Sequence, residues 1–188
     1  MRLSAPRIAP LEEKDWTEET RHELGRLEGE GRTFNVFRTL ANHPKLLRRW
    51  LVFANHVLFK STVSAREREI LILRIGWLCQ AEYEFAQHVQ IGRRAGLTDA
   101  DIQRIVDGPD APGMDPFEAA LVRAADELHR DAIVSDATWK ALSSRYSREQ
   151  LIDAVFTVGQ YNLVSMALNT LGVQLDPGLE GFARWRRR

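Results

Sequence analysis

Apolar residues recur at helical spacing along most of this chain, and nowhere do they alternate with polar residues at the period of two expected of a strand. The pattern predicts a helix over 17–27, punctuated afterwards by Gly29 and Gly31, then a short apolar helix through Phe34, Val36, Phe37 and Leu40 that ends near His43. Pro44 opens a clearer helix in which Leu46, Leu47, Trp50, Leu51, Phe53, Ala54, Val57 and Leu58 keep the period. Thr98 caps a short helix to Val106, and the loop 108–114 follows. Asp115 and Pro116 begin a helix ending at His129, and Asp136 begins another. Ser147 with Gln150 forms a capping box ahead of the longest apolar helix, 151–171, which also carries Gln160, Tyr161, Asn162, Ser165 and Asn169. The fold class is therefore all-α, a helical bundle.

The segment 64–97 stands apart because its ionisable groups, Glu69, Glu82, Glu84 and His88, sit inside strongly apolar helical sequence together with Cys79. Ser64 and Glu67 read as a capping box for a helix that Ile70, Leu71, Ile72, Leu73, Ile75 and Leu78 make apolar on nearly all sides. A turn near 78–81 leads into a second helix over 82–95, closed by Gly96 in the left-handed conformation. Glu84 and His88 are four apart and share a face. Glu69 lies about as far before the turn as His88 lies after it, so a folded-back hairpin sets them side by side. A straight continuation would hold them nearly 30 Å apart, at about 1.5 Å per residue.

Size and charge narrow the functions. A chain of 188 residues fits one domain with extended arms, and its 26 basic and 26 acidic residues give no net charge to draw it to nucleic acid or to anionic membranes. The basic end, Arg184 to Arg188, reads as a solvated tail. A single cysteine excludes an intramolecular disulfide. No apolar run approaches the roughly 20 residues that span a bilayer, and residues 1–12 lack the apolar centre of a signal peptide, so a cytoplasmic protein is expected.

At Glu69, Tyr83-Glu84, His88, Asp126-Glu127-Leu128-His129, Tyr161-Asn162-Leu163-Val164 and Leu168-Asn169 the chain resembles the carboxymuconolactone decarboxylase family, whose fold is that of alkylhydroperoxidase D-like proteins. The resemblance covers roughly 34–176, which leaves 1–33 as an arm with the first helix and 177–188 as the tail. In the alkylhydroperoxidase-like branch a glutamate, a Cys-x-x-Cys pair and a histidine form a thiol relay. Here the resemblance puts Glu69 and His88 in the acid and imidazole positions, but Ala81 and Glu84 stand where the thiols would be, and Cys79 does not restore the pair. What the resemblance implies instead is the decarboxylase-like branch: acid–base chemistry on a small carboxylated lactone or related acid without a cofactor, and homo-oligomers, often trimers or hexamers. A metal site built from Glu69, Glu84, His88 and His129 is conceivable from the residue types, but His88 has no second histidine at helical ligand spacing, so no metal is expected.

A histidine beside a carboxylate can move a proton near neutral pH. The catalytic candidates are His88 as proton carrier, Glu69 as its orienter or second acid–base group, and Glu84 as a polar lining residue. Tyr83, Tyr161, Asn162 and His129 are the candidate substrate contacts. Two other readings remain: peroxide or thiol chemistry at Cys79, and a non-catalytic helical oligomer with a closed interior around His88. The bland reading of Cys79 is a small buried apolar residue. That of His22, His43 and His56 is surface or capping, and that of Trp50, Phe53 and Phe59 is core or subunit contact.

Overall fold

The computed structural model describes residues 3–29 and 34–186; Gly31, the expected boundary at residue 33, and Arg187 and Arg188 of the basic end lie outside them. Among the described residues there are nine α-helices and no strand. In chain order they are α1 (Glu18–Gly29), α2 (Asn35–Leu40), α3 (Pro44–Asn55), α4 (Ala65–Leu78), α5 (Glu82–Arg94), α6 (Asp99–Asp107), α7 (Pro116–Asp131), α8 (Asp136–Ser143) and α9 (Arg148–Leu171). A short π-helical turn, His56–Lys60, prolongs α3.

α4 is the axis. Every residue from Glu67 to Gly76 is buried, and α5, α6, α7 and α9 pack around it. A helix with no solvent face can be satisfied only in the middle of a bundle. One charge that its sequence forces inside is fully used: Arg74 donates to both oxygens of Asp126 on α7, at 2.5 and 3.0 Å, and to the carbonyls of Ile105 and Val106, each at 2.9 Å. Asp126 thereby pins α7 to α4. Glu127 beside it accepts from the backbone N–H of Ser135 at 2.8 Å and from Thr138, anchoring the start of α8.

Side-chain caps set most helix starts. Thr98 with Asp101 and Ser147 with Gln150 form complete capping boxes, and Asp115 accepts from the N–H groups of Phe117 and Glu118. The box expected at Ser64 is only half formed. Its hydroxyl accepts from the Glu67 N–H at 3.3 Å but donates to Glu67 Oε2 at 2.7 Å, and the carboxylate is turned outward to Arg145 at 2.8 Å. α8 begins at Asp136 as the sequence predicts, with Ser135 as its cap.

Two sequence expectations change here. By length and composition α9 is apolar enough to cross a membrane, contrary to the reading of the sequence, although half of its most apolar stretch is buried within this bundle. The basic end is no solvated tail through residue 186: Phe182 and Trp185, three apart on a short turn, are buried against Trp77 and Phe85. Its arginines are held outward, Arg184 pairing with Glu180 and Asp99 and Arg186 reaching Gln80. At the other end the extended arm lies on its own chain, with Arg7 donating to the Leu171 carbonyl at 2.9 Å and Leu11 to that of Arg38 at 3.1 Å.

Candidate functional site

The bend between α4 and α5 takes three residues, Cys79, Gln80 and Ala81. Gln80 adopts φ 52°, unusual for a residue with a side chain, and its amide donates to the Trp77 carbonyl at 2.8 Å. Asn169 of α9 donates to the Cys79 carbonyl at 3.0 Å, satisfying one of the orphan acceptors at the end of α4. The two arms close tightly because glycines lie where they meet. A Cβ on Gly92 would lie 2.9 Å from Leu97 and 3.8 Å from the Cβ of Glu69.

The hairpin brings Glu69 and His88 together, with His88 Nδ1 2.6 Å from Glu69 Oε2. His88 Nε2 is 3.0 Å from Glu84 Oε1, one turn earlier on α5. Each ring nitrogen thus faces a carboxylate oxygen, and each bond is best made by an N–H donor. Glu69 is completely buried, and its other oxygen accepts from Arg68 Nε at 3.2 Å. With all four groups ionised, two carboxylates, one imidazolium and one guanidinium balance. Burial lowers the His88 pKa, but the charge and hydrogen bond of Glu69, followed by those of Glu84, outweigh it and hold the imidazolium up to about 10. His88 is a charged donor at neutral pH, not an idle base.

Beside this cluster opens a cavity of about 410 Å³, walled by residues of α2, α3, α4, α5 and α9. Its lining is largely apolar by area, including Phe37, Trp50 and Phe59, with Arg68, Glu84, Gln87, His88, Gln90, Arg94 and Gln160 as polar points. The Tyr161 ring meets the His88 ring edge-on at 4.8 Å. The closed, cavity-free interior required by a purely structural Glu–His pair is not what surrounds His88. With both ring nitrogens donating to carboxylates, His88 also has no lone pair for a metal. Among the described residues no group of three or more His, Cys, Asp or Glu is arranged to hold one.

Of the expected substrate contacts, Tyr83 and Tyr161 line the cavity. Tyr83 is already committed, because its hydroxyl donates to Asp176 at 2.5 Å and accepts from the Val36 N–H at 3.2 Å. Burial first and Asp176 second push its pKa upward. Asn162 and His129 lie outside the cavity and form a separate cluster with Cys79 at the far end of α4, about 15 Å along the helix from Glu69 at 1.5 Å per residue. There Cys79 Sγ donates to Asn162 Oδ1 at 3.0 Å and lies 3.7 Å from His129 Nδ1. Cys79 is therefore a half-buried, hydrogen-bonded thiol rather than inert apolar filling. His43 caps α3 by accepting from the Leu46 N–H at 3.3 Å. Phe59, expected in the core or a subunit contact, lines the cavity and is largely exposed. Gln160, one of the polar residues expected in the long apolar helix, lines the cavity, whereas sequence reasoning missed Arg68 and Gln87. The signal for Arg68 was its place in the buried run beside Glu69, where a charge cannot be decorative.

The fold is all-α and of the alkylhydroperoxidase D-like kind, and its site is a buried Glu–His–Glu cluster. Residues 44–127, which hold all three of those side chains, match the model of the Carboxymuconolactone decarboxylase family. Among solved structures the chain is similar to the alkylhydroperoxidase AhpD core of an uncharacterized peroxidase-related protein from Ralstonia eutropha JMP134. The TM-score is 0.79 at 20% identity, over 92% of this chain and 93% of that one. It is also similar to the debrominase Bmp8, in a variant bound to 2,3,4-tribromopyrrole, with TM-score 0.74 at 13% identity over 90% and 91% of the two chains. An uncharacterized peroxidase-related protein from Silicibacter sp. TM1040 gives TM-score 0.74 at 16% identity over 94% and 92%. At such identities the likeness is one of fold. Among curated proteins no significant match is found.

Proposed function

We propose that this protein is a cofactor-independent acid–base enzyme of the carboxy-lyase type, acting on a small carboxylated lactone or related acid in the cavity beside His88. The observation that supports this most is the placement of Glu84 and His88 on the cavity wall with Glu69 sealed behind them. When the substrate loses carbon dioxide, the electron pair of the broken C–C bond stays on carbon and delocalises into the neighbouring carbonyl. A proton must then reach that carbon. His88 passes its Nε2 proton to Glu84, Glu84 passes one to the carbon, and solvent returns a proton to the imidazole. Glu69 keeps the Nδ1 proton and fixes the ring. His88 thus acts through Glu84, a more active part for this carboxylate than that of a lining residue.

Removing His88 would leave two buried carboxylates with less compensation, a loss that costs about 3–5 kcal/mol in buried pairs. Glu84→Gln is the cleaner test, since an amide keeps the shape without relaying the proton. Assayed for carbon dioxide release over a panel of carboxylated lactones, the native protein turns over and Glu84→Gln falls by about 100-fold or more with its melting temperature kept. Equal rates would reject the role.

A second reading is supported by the Cys79–His129–Asn162 cluster. Its thiol could reduce a peroxide, becoming a sulfenic acid as the peroxide leaves as an alcohol, with an external low-molecular-weight thiol restoring it. That reading requires peroxide consumption to vanish in Cys79→Ser, and consumption unchanged in that variant would remove it.

We also propose a homo-oligomer, a trimer or hexamer. Its support is the outer face of α9, where Ile152, Val155, Phe156, Leu163 and Met166 are exposed at helical spacing.

A further inference from the structure

Two arginines of α4 are buried alike, Arg74 at 8% exposed and Arg68 at 9%, but they are used differently. Arg74 spends its guanidinium on Asp126 and two carbonyls. Arg68 donates from Nε to Glu69, while its two terminal nitrogens donate to no group among the described residues. Neither nitrogen is sealed off, and the side chain forms part of the cavity wall. Four N–H groups of a buried guanidinium, on the wall of a mostly apolar hollow, make a fork whose natural complement is a planar anion.

We propose that Arg68 is the carboxylate anchor of this cavity, so that its ligands carry an anionic carboxylate at one end and an apolar, ring-containing body at the other. This rests on the cavity being the substrate site. The body would lie against Phe37, Trp50 and Tyr161, which supply flat apolar surface, and the volume suits a small molecule. An ion pair stabilises a carboxylate in its charged, intact form, so the group held by Arg68 is not the one a decarboxylation would expel. The substrate then carries an anchoring carboxylate as well as a reacting end near Glu84. Because Glu69 and Glu84 already balance the two cations, the anchored carboxylate gives the cluster one net negative charge, which disfavours a second anion at the anchor.

Phenylacetate and its neutral isostere phenylacetamide separate the anchor from simple apolar binding, since neither has a group to lose. By isothermal titration the native protein is expected to bind the acid at least about tenfold more tightly than the amide. That preference should fall to about one in Arg68→Gln, survive in weakened form in Arg68→Lys, and persist in Glu84→Gln. Equal affinities in the native protein, no binding of the acid, or a preference retained by Arg68→Gln would each overturn the proposal. If Arg68→Gln fails to fold, the native ratio and Arg68→Lys decide it. An acid preference without carbon dioxide release from any lactone would leave the anchor standing and remove the proposed reaction.

Discussion

His88 has one proton more than a solvent-exposed imidazole would keep at neutral pH, and it owes that proton to Glu69 and Glu84. The linkage follows with a definite sign. In the folded chain the proton is held up to about pH 10, against an ordinary value of 6.5. The stabilisation is therefore complete below pH 6.5 and is lost as pH rises through about 10. Chemical-denaturation curves between those limits should show stability falling, with a shallower fall in His88→Gln; identical slopes would mean that His88 titrates normally. The pairing was legible in the sequence because two independent constraints converge: equal distance from a turn for Glu69 and His88, and the spacing of four for Glu84. Asn162 and His129 were not, because adjacent positions on a helix diverge by about 100°. Tyr161 therefore faces His88 while Asn162 faces Cys79. Arg68 stayed hidden for a related reason, since sequence gives its burial but not which of its nitrogens remain unpaired.

At the scale of elements, the hairpin of α4 and α5 was readable from punctuation and periodicity, and so were the starts of α6, α7 and α9 from their caps. The fate of the basic end was not, because four arginines in sequence mask the one tryptophan among them, which is buried. α9 is apolar around most of its circumference, which suits a helix covered on both sides, yet Phe156 is 54% and Leu163 52% exposed in the single chain. A second copy of the chain laid on that face would resolve the mismatch. Light scattering should then give a mass three or six times 21.5 kDa, and Phe156→Glu, which buries a charge in that contact, should reduce it to one. A native mass of 21.5 kDa would end the oligomer proposal.

For the whole molecule, the bundle has one central helix that carries both the deepest core and the innermost acid of the Glu–His–Glu cluster. The fold thus fixes the site rigidly while α2, α3 and α9 leave a hollow beside it. The outcome depends on what passes from Glu84 into that hollow. The decisive measurement is turnover of a carboxylated lactone in D2O, following the product by mass and NMR. The account predicts one deuterium on the carbon that lost carbon dioxide, delivered by the native protein and not by Glu84→Gln. Deuterium appearing at the same rate in both, or no carbon dioxide from any lactone with the native protein, would contradict it.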